Sequence, residues 1–141
     1  ISVAVEIKPS LNIIEEAHGF AGAFEVTEAL PVAYDKNWPD GKVTPGVCLL
    51  TLFNQKKAID YKTFINRWHH SHTPLSLKIH PLTHYNRNVV EKRCSNNKEN
   101  WDGVVEEHCK TNQVFWRSFK NDSKYDFCLY RYQVVFRLWN N

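Results

Sequence analysis

Asp60-Tyr61-Lys62-Thr63-Phe64-Ile65-Asn66-Arg67-Trp68-His69-His70-Ser71-His72-Thr73-Pro74-Leu75 decides how the rest of the chain is read. Tyr61, Phe64, Ile65 and Trp68 recur at the spacing that puts them on one stripe of an amphipathic helix. Asp60 offers a side-chain oxygen to the unpaired N–H groups of the first turn. Pro74 has no N–H and crowds the preceding turn, so it is expected to kink or end the helix. Leu75-Ser76-Leu77-Lys78-Ile79 would then add a further turn or two.

Strand signals flank this helix on both sides. Val47 to Phe53 is almost wholly apolar, as expected of a strand covered on both faces. His84–Arg93 and Val104–Cys109 read as the next two strands, and Cys94–Asn100 as a polar loop. Lys110–Phe119 reads as a short helix, and Tyr125–Trp139, rich in aromatic and β-branched residues, as a final strand. The order is β-α-β-β-α-β, so the predicted class is α+β with a ferredoxin-like, four-stranded antiparallel sheet. Such a sheet carries helices on one face and leaves the other bare. It is expected to pack on a second sheet, in a homodimer or in tandem units of one chain, as in the dimeric α/β barrels.

Upstream, Ile1–Ile7 alternates like a strand, Ser10 caps a predicted helix ending at Gly19, and Phe20–Tyr34 reads as a second strand with Pro31 near its end. Pro39-Asp40-Gly41 and Pro45-Gly46 are turn signals. Residues 1–34 are therefore expected to be the trailing part of a first repeat, 35–46 a linker, and 47–141 a second unit. The chain has no Met and opens directly in a strand pattern, so it is expected to be a piece of a longer protein.

Composition narrows the function classes. The 141 residues carry a net charge of only +3, with lysines and arginines scattered, which argues against a nucleic-acid surface. No apolar run approaches the roughly 20 residues of a membrane span. Cys48, Cys94, Cys109 and Cys128 form no CxxC pair and read mainly as buried free thiols of a reducing, cytoplasmic compartment. The sequence holds no Gly-rich phosphate loop, no Gly-x-Ser-x-Gly and no nucleotide, flavin or haem signature, so no cofactor is expected.

Three imidazoles at the helix end point to acid–base chemistry, because histidine titrates near neutrality. His72 follows Tyr61, Ile65 and Trp68 on roughly the same face. Beside Trp68 and Tyr85 it could protonate a carbonyl or take the proton alpha to it. It could equally cap the helix C-terminus. His69 and His72 have a spacing that suits a metal, yet no carboxylate or thiol lies nearby in sequence, and no metal site is assigned. Asn86 and Asn88 share one face of their strand and Tyr85 takes the other. Glu106 and Glu107 likewise point to opposite faces, and an inward carboxylate would have a raised pKa unless paired, for example with Arg87 or Arg67.

Phe64-x-x-x-Trp68-x-x-x-His72-Thr73-Pro74-Leu75, Tyr85-Asn86-Arg87-Asn88-Val89-Val90 and Trp101-Asp102-Gly103-Val104-Val105-Glu106-Glu107 together resemble the EthD family. The segments Tyr34-Asp35-Lys36, Pro39-Asp40-Gly41 and Thr44-Pro45-Gly46 are similar to the linker of its tandem-repeat members. The resemblance covers Ala23 to about Glu107 and is lost beyond Cys109, so 118–141 are unmatched. It implies ferredoxin-like subunits paired into an α/β barrel. It also implies a small-molecule enzyme of oxidoreductase or dehydratase type, acting on a hydrophobic, aromatic or polyketide-like compound without a cofactor. His72 matches the family's helix-end histidine and would be catalytic, with Trp68, Tyr85, Asn86, Asn88 and Glu106 around the substrate. The alternative is a non-catalytic binding or assembly module on the same fold.

Overall fold

The computed structural model describes residues 15–16, 20, 22–96 and 100–111, together with the backbone of the strand Leu129–Leu138. The alternation upstream of the turn-rich segment forms β1 (Phe24–Val32), and the apolar run after it forms β2 (Val47–Gln55). There follow α1 (Tyr61–Arg67), a π-turn (Trp68–His72) and α2 (Thr73–Ile79). Three more strands complete the order: β3 (Leu82–Arg93), β4 (Gly103–Cys109) and β5 (Leu129–Leu138). The five described strands form one antiparallel sheet in the order β1-β3-β4-β2-β5. The fold is α+β, with the helical segment on one face of the sheet.

The strand before the turn-rich segment and the strands after it thus share a single sheet. β1 adds to the edge of β3, with Glu28 opposite Asn88 and Val32 opposite Tyr85. Within the connecting segment, the Lys42 N–H closes a turn onto the Pro39 carbonyl at 3.3 Å, with Gly41 at φ +76. The predicted strand Ile1–Ile7, nearly all of the helix Ser10–Gly19, most of the helix Lys110–Phe119, and Cys128 lie outside the described residues. No helix among the described residues is long and apolar enough to cross a membrane.

Register assigns the faces. Phe53 pairs with Gly103 and Gly103 with Val89, while Val105 pairs with Thr51 and Arg87. These residues look toward the helices. The core on this side joins Phe53, Phe64, Trp68, Tyr85, Val89 and Val105. The Trp68 ring meets Phe53 edge-on at 4.7 Å between centroids and Phe64 at 5.6 Å, geometries that aromatic quadrupoles favour. Gly103 makes this approach possible. A Cβ there would stand 2.4 Å from Phe53 Cζ and 2.7 Å from Trp68 Cη2. The strand begins one residue earlier than the expected Val104, at Gly103, which leaves room for two aromatic rings. Asp102 anchors the adjoining corner, its carboxylate accepting the Gln55 N–H at 2.8 Å.

Among the described residues the opposite face carries no helix. Cys48, Leu50 and Leu52 of β2 lie across from His108, Glu106 and Val104 of β4. His84, Asn86 and Asn88 of β3 continue the same rows.

Candidate functional site

Asp60 caps α1 as its position predicts, accepting the Thr63 N–H at 2.9 Å and the Thr63 hydroxyl at 2.8 Å. These bonds hold its carboxyl below the usual range, the backbone N–H contributing most. Downstream, the structure departs from a plain α-helix. The Thr73 N–H bonds to the Trp68 carbonyl, one residue further back than the α pattern. Pro74 then stands in the first turn of α2 and the helix runs on to Ile79. Proline cannot donate to the carbonyl four residues before it and clashes there in a regular coil. The wider turn gives that carbonyl room, so Pro74 does not end the helix.

The π-turn shifts the buried stripe by one position. Phe64 and Trp68 are followed by Thr73, Ser76 and His80, all buried. A regular coil would have carried the stripe to His72. His72 is half-buried beside the stripe, with Nε2 3.5 Å from Ser76 Oγ. His69 is half-buried and His70 exposed.

Beneath the stripe lies a polar group inside the apolar layer. Arg87 Nη1 donates to Thr73 Oγ1 at 3.0 Å, and the guanidinium carbon sits 5.9 Å from the Trp68 ring centroid. Tyr85 is fully buried. Its phenol is pushed up to about 12, by burial first and then by Glu107. The hydroxyl stands beside the Thr73 and Trp68 side chains without a well-aligned hydrogen bond to either. Trp68 Nε1, His69 Nε2, Tyr85 Oη and Arg87 Nε are buried and have no hydrogen-bond partner among the described residues. Each such group costs about 1–3 kcal/mol if nothing meets it.

The other expected ligand contacts are not in this place. Asn86, Asn88 and Glu106 lie on the helix-free face, with the sheet between them and Trp68 and Tyr85. The division follows from strand alternation, since odd and even positions of β3 and β4 cannot share a face. Asn86 Nδ2 donates to Glu28 Oε1 on β1 at 2.8 Å, and Asn88 is buried. Glu106 faces His108, with Oε2 3.8 Å from Nε2, and the inward carboxylate of the pair is Glu107, buried opposite Tyr85.

A second group, which the sequence reading missed, occupies one end of the helix-free face. The Tyr34 ring stacks on His84 at 4.1 Å and 4° and meets Trp38 edge-on at 5.2 Å. Its hydroxyl hydrogen-bonds His108 Nδ1. His84 and His108 are 5.1 Å apart between ring centroids. Burial, with Cys48 and Glu106 adding to it, raises the Tyr34 phenol well above its ordinary value. No local motif announces this group, because Tyr34 and His108 are 74 residues apart and only sheet register unites them.

Two histidines are held below their ordinary pKa. His69 is lowered by burial, then by Arg87 and His70. His84 is lowered by burial, then by His108, against smaller opposing effects of Glu106 and Glu28. The folded chain therefore binds fewer protons than the unfolded chain just below the ordinary histidine value of about 6.5. The stability these groups contribute is full above that value and is lost as pH falls toward their folded values. Denaturant midpoints are expected to drop from pH 7 to pH 5. His69→Gln and His84→Gln should each flatten the slope, and a slope unchanged in both variants would exclude these imidazoles as its source.

No protein-family profile matches this chain, and neither a curated protein nor a solved structure was found to be similar to it.

Proposed function

We propose that this chain is an EthD-like protein and that β2, the helical segment, β3, β4 and β5 belong to a ferredoxin-like unit. It acts as a cofactor-free enzyme of oxidoreductase or dehydratase type on a hydrophobic, aromatic or polyketide-like compound, at the junction of helix and sheet. The motif resemblance supports this, and so does the strand order, in which β2 lies between β4 and β5. The observation that carries the reading is the set of four partnerless polar atoms on Trp68, His69, Tyr85 and Arg87, set among aromatic rings. A substrate with a carbonyl on an aromatic frame fits such surroundings. Its rings would join the layer, and its oxygen would accept from the indole N–H, the phenol and the guanidinium.

The electrostatics suit proton transfer. With its pKa pushed up to about 12, Tyr85 keeps its proton at neutral pH and donates to an oxygen that gains negative charge. His72, at the margin of the same turn, takes the proton alpha to the carbonyl or returns it. The tight packing of Phe53, Phe64 and Trp68 favours the alternative, a non-catalytic binding or assembly module.

The helix-free face suits a second half-barrel, supplied by another copy or by a preceding repeat. Leu50, Leu52 and Val104 are half-buried there, and on β1 Val26 and Leu30 remain 38% and 49% exposed. Cys94 and Cys109 are free thiols, which suits a cytoplasmic setting.

A thermal-shift screen with phenolic ketones and quinones tests the reading. At least one such compound is expected to raise the melting temperature of the chain and to be turned over. Tyr85→Phe should weaken its binding at least about tenfold, the scale of one lost hydrogen bond to a buried group. His72→Ala should abolish turnover and leave melting unchanged. If no compound of the class binds, or if His72→Ala collapses the fold, the enzymatic reading fails.

A further inference from the structure

We propose that Cys48, Glu106 and His108 form a binding site for a divalent zinc-like cation on the helix-free face. Cys48 and His108 are paired across β2 and β4, and Glu106 lies two residues from His108 on the same side of β4. One ligand atom from each of the three side chains lies within 4.8 Å of the other two. A thiolate, an imidazole and a carboxylate are the donor types that bind zinc.

One edge of this triangle is close to that of a filled site. Bond lengths of about 2.0–2.2 Å to nitrogen and oxygen in a tetrahedral site place those two atoms about 3.3–3.6 Å apart. Glu106 Oε2 and His108 Nε2 are 3.8 Å apart, too long for a hydrogen bond and a few tenths of an ångström from that edge. The side chains of His108 and Glu106 are only 13% and 18% exposed. Strand backbones hold all three residues, so little order is lost on binding.

A further contact selects the nitrogen. The Tyr34 hydroxyl bonds His108 Nδ1. With Nδ1–H donating to the phenol oxygen, the Nε2 lone pair is left for the metal. Metal-bound histidines commonly have such an outer partner, which fixes tautomer and ring orientation. Three protein ligands leave one coordination position, which falls to water. The site stands apart from the helix–sheet junction and does not depend on the enzymatic reading.

The test uses the intact chain, stripped with chelator and titrated with zinc or cobalt. One equivalent is expected to bind, and the cobalt form should show thiolate-to-metal charge-transfer absorption. Cys48→Ser should remove that band, and His108→Ala should weaken binding by more than the about 10–100-fold typical of an outer-shell change. Tyr34→Phe should fall within that range. His70→Ala, on the exposed side of the helical segment, should bind as the parent does. Circular dichroism of each variant keeps misfolding separate from ligand loss. Absence of stoichiometric binding in the parent chain, absence of the thiolate band, or binding lost in His70→Ala and kept in folded Cys48→Ser would each overturn the proposal.

Discussion

Replacing Trp68 by alanine is expected to cost about 3–5 kcal/mol, the range for truncating a large buried aromatic. Few single changes in this chain should cost more. Trp68 is 1% exposed and lies at the meeting point of Phe53, Phe64 and the space over Gly103. No neighbouring side chain can swing into the void, because Phe53 and Phe64 are themselves buried and in contact with each other. The loss is large beside the about 5–15 kcal/mol by which native proteins are commonly stable. Denaturant unfolding should show it as a lowered midpoint at constant slope. Trp68→Phe, which keeps a ring against Phe53, should lose distinctly less. A loss below about 1 kcal/mol for the alanine variant would contradict the packing described.

Gly46→Ala is the second large effect, and its cause lies in the backbone. Gly46 has φ +102, where an L side chain is strained by about 1–3 kcal/mol. A Cβ would also stand 2.3 Å from the Cys109 carbonyl oxygen. That oxygen belongs to the residue paired with Val47 at the start of the β2–β4 ladder, so it cannot withdraw without opening the ladder end. A loss of about 2–4 kcal/mol is expected, combining backbone strain with overpacking. Gly41→Ala is the natural comparison, since Gly41 has φ +76 but nothing within 4 Å of its added Cβ. It should lose only the strain. Equal melting temperatures for the two variants would show that the close approach to Cys109 does not matter.

Elements governed by local chemistry were legible from the residues alone. The helix over Tyr61–Trp68 follows from its apolar spacing, its start from Asp60, and the turn at Pro39-Asp40-Gly41 from its residue types. Strand alternation also settles that Asn86 and Asn88 oppose Tyr85, and that Glu106 opposes Glu107. What was not legible depends on partners distant in sequence. The added residue in the π-turn leaves no periodic mark before Pro74, so regular spacing extends the stripe to His72, where Thr73 holds the buried position. Gly103 has the look of a turn residue, and only Phe53 and Trp68 explain it. Tyr34, His84 and His108 are unremarkable singly; the register of β3 on β4 and the path of the chain leaving β1 gather them.

The extra residue between Trp68 and Thr73 makes the helical segment a coil in two phases. Wound as a uniform α coil, the same residues would turn everything downstream of Trp68 by about 100° about the helix axis. Thr73 and Ser76 would swing away from Arg87, and α2 would bring different side chains onto β3. The angular setting of the second half of this helix is therefore stored in a single inserted position, and deleting one residue there would leave a plain α coil that still presents Thr73 to Arg87.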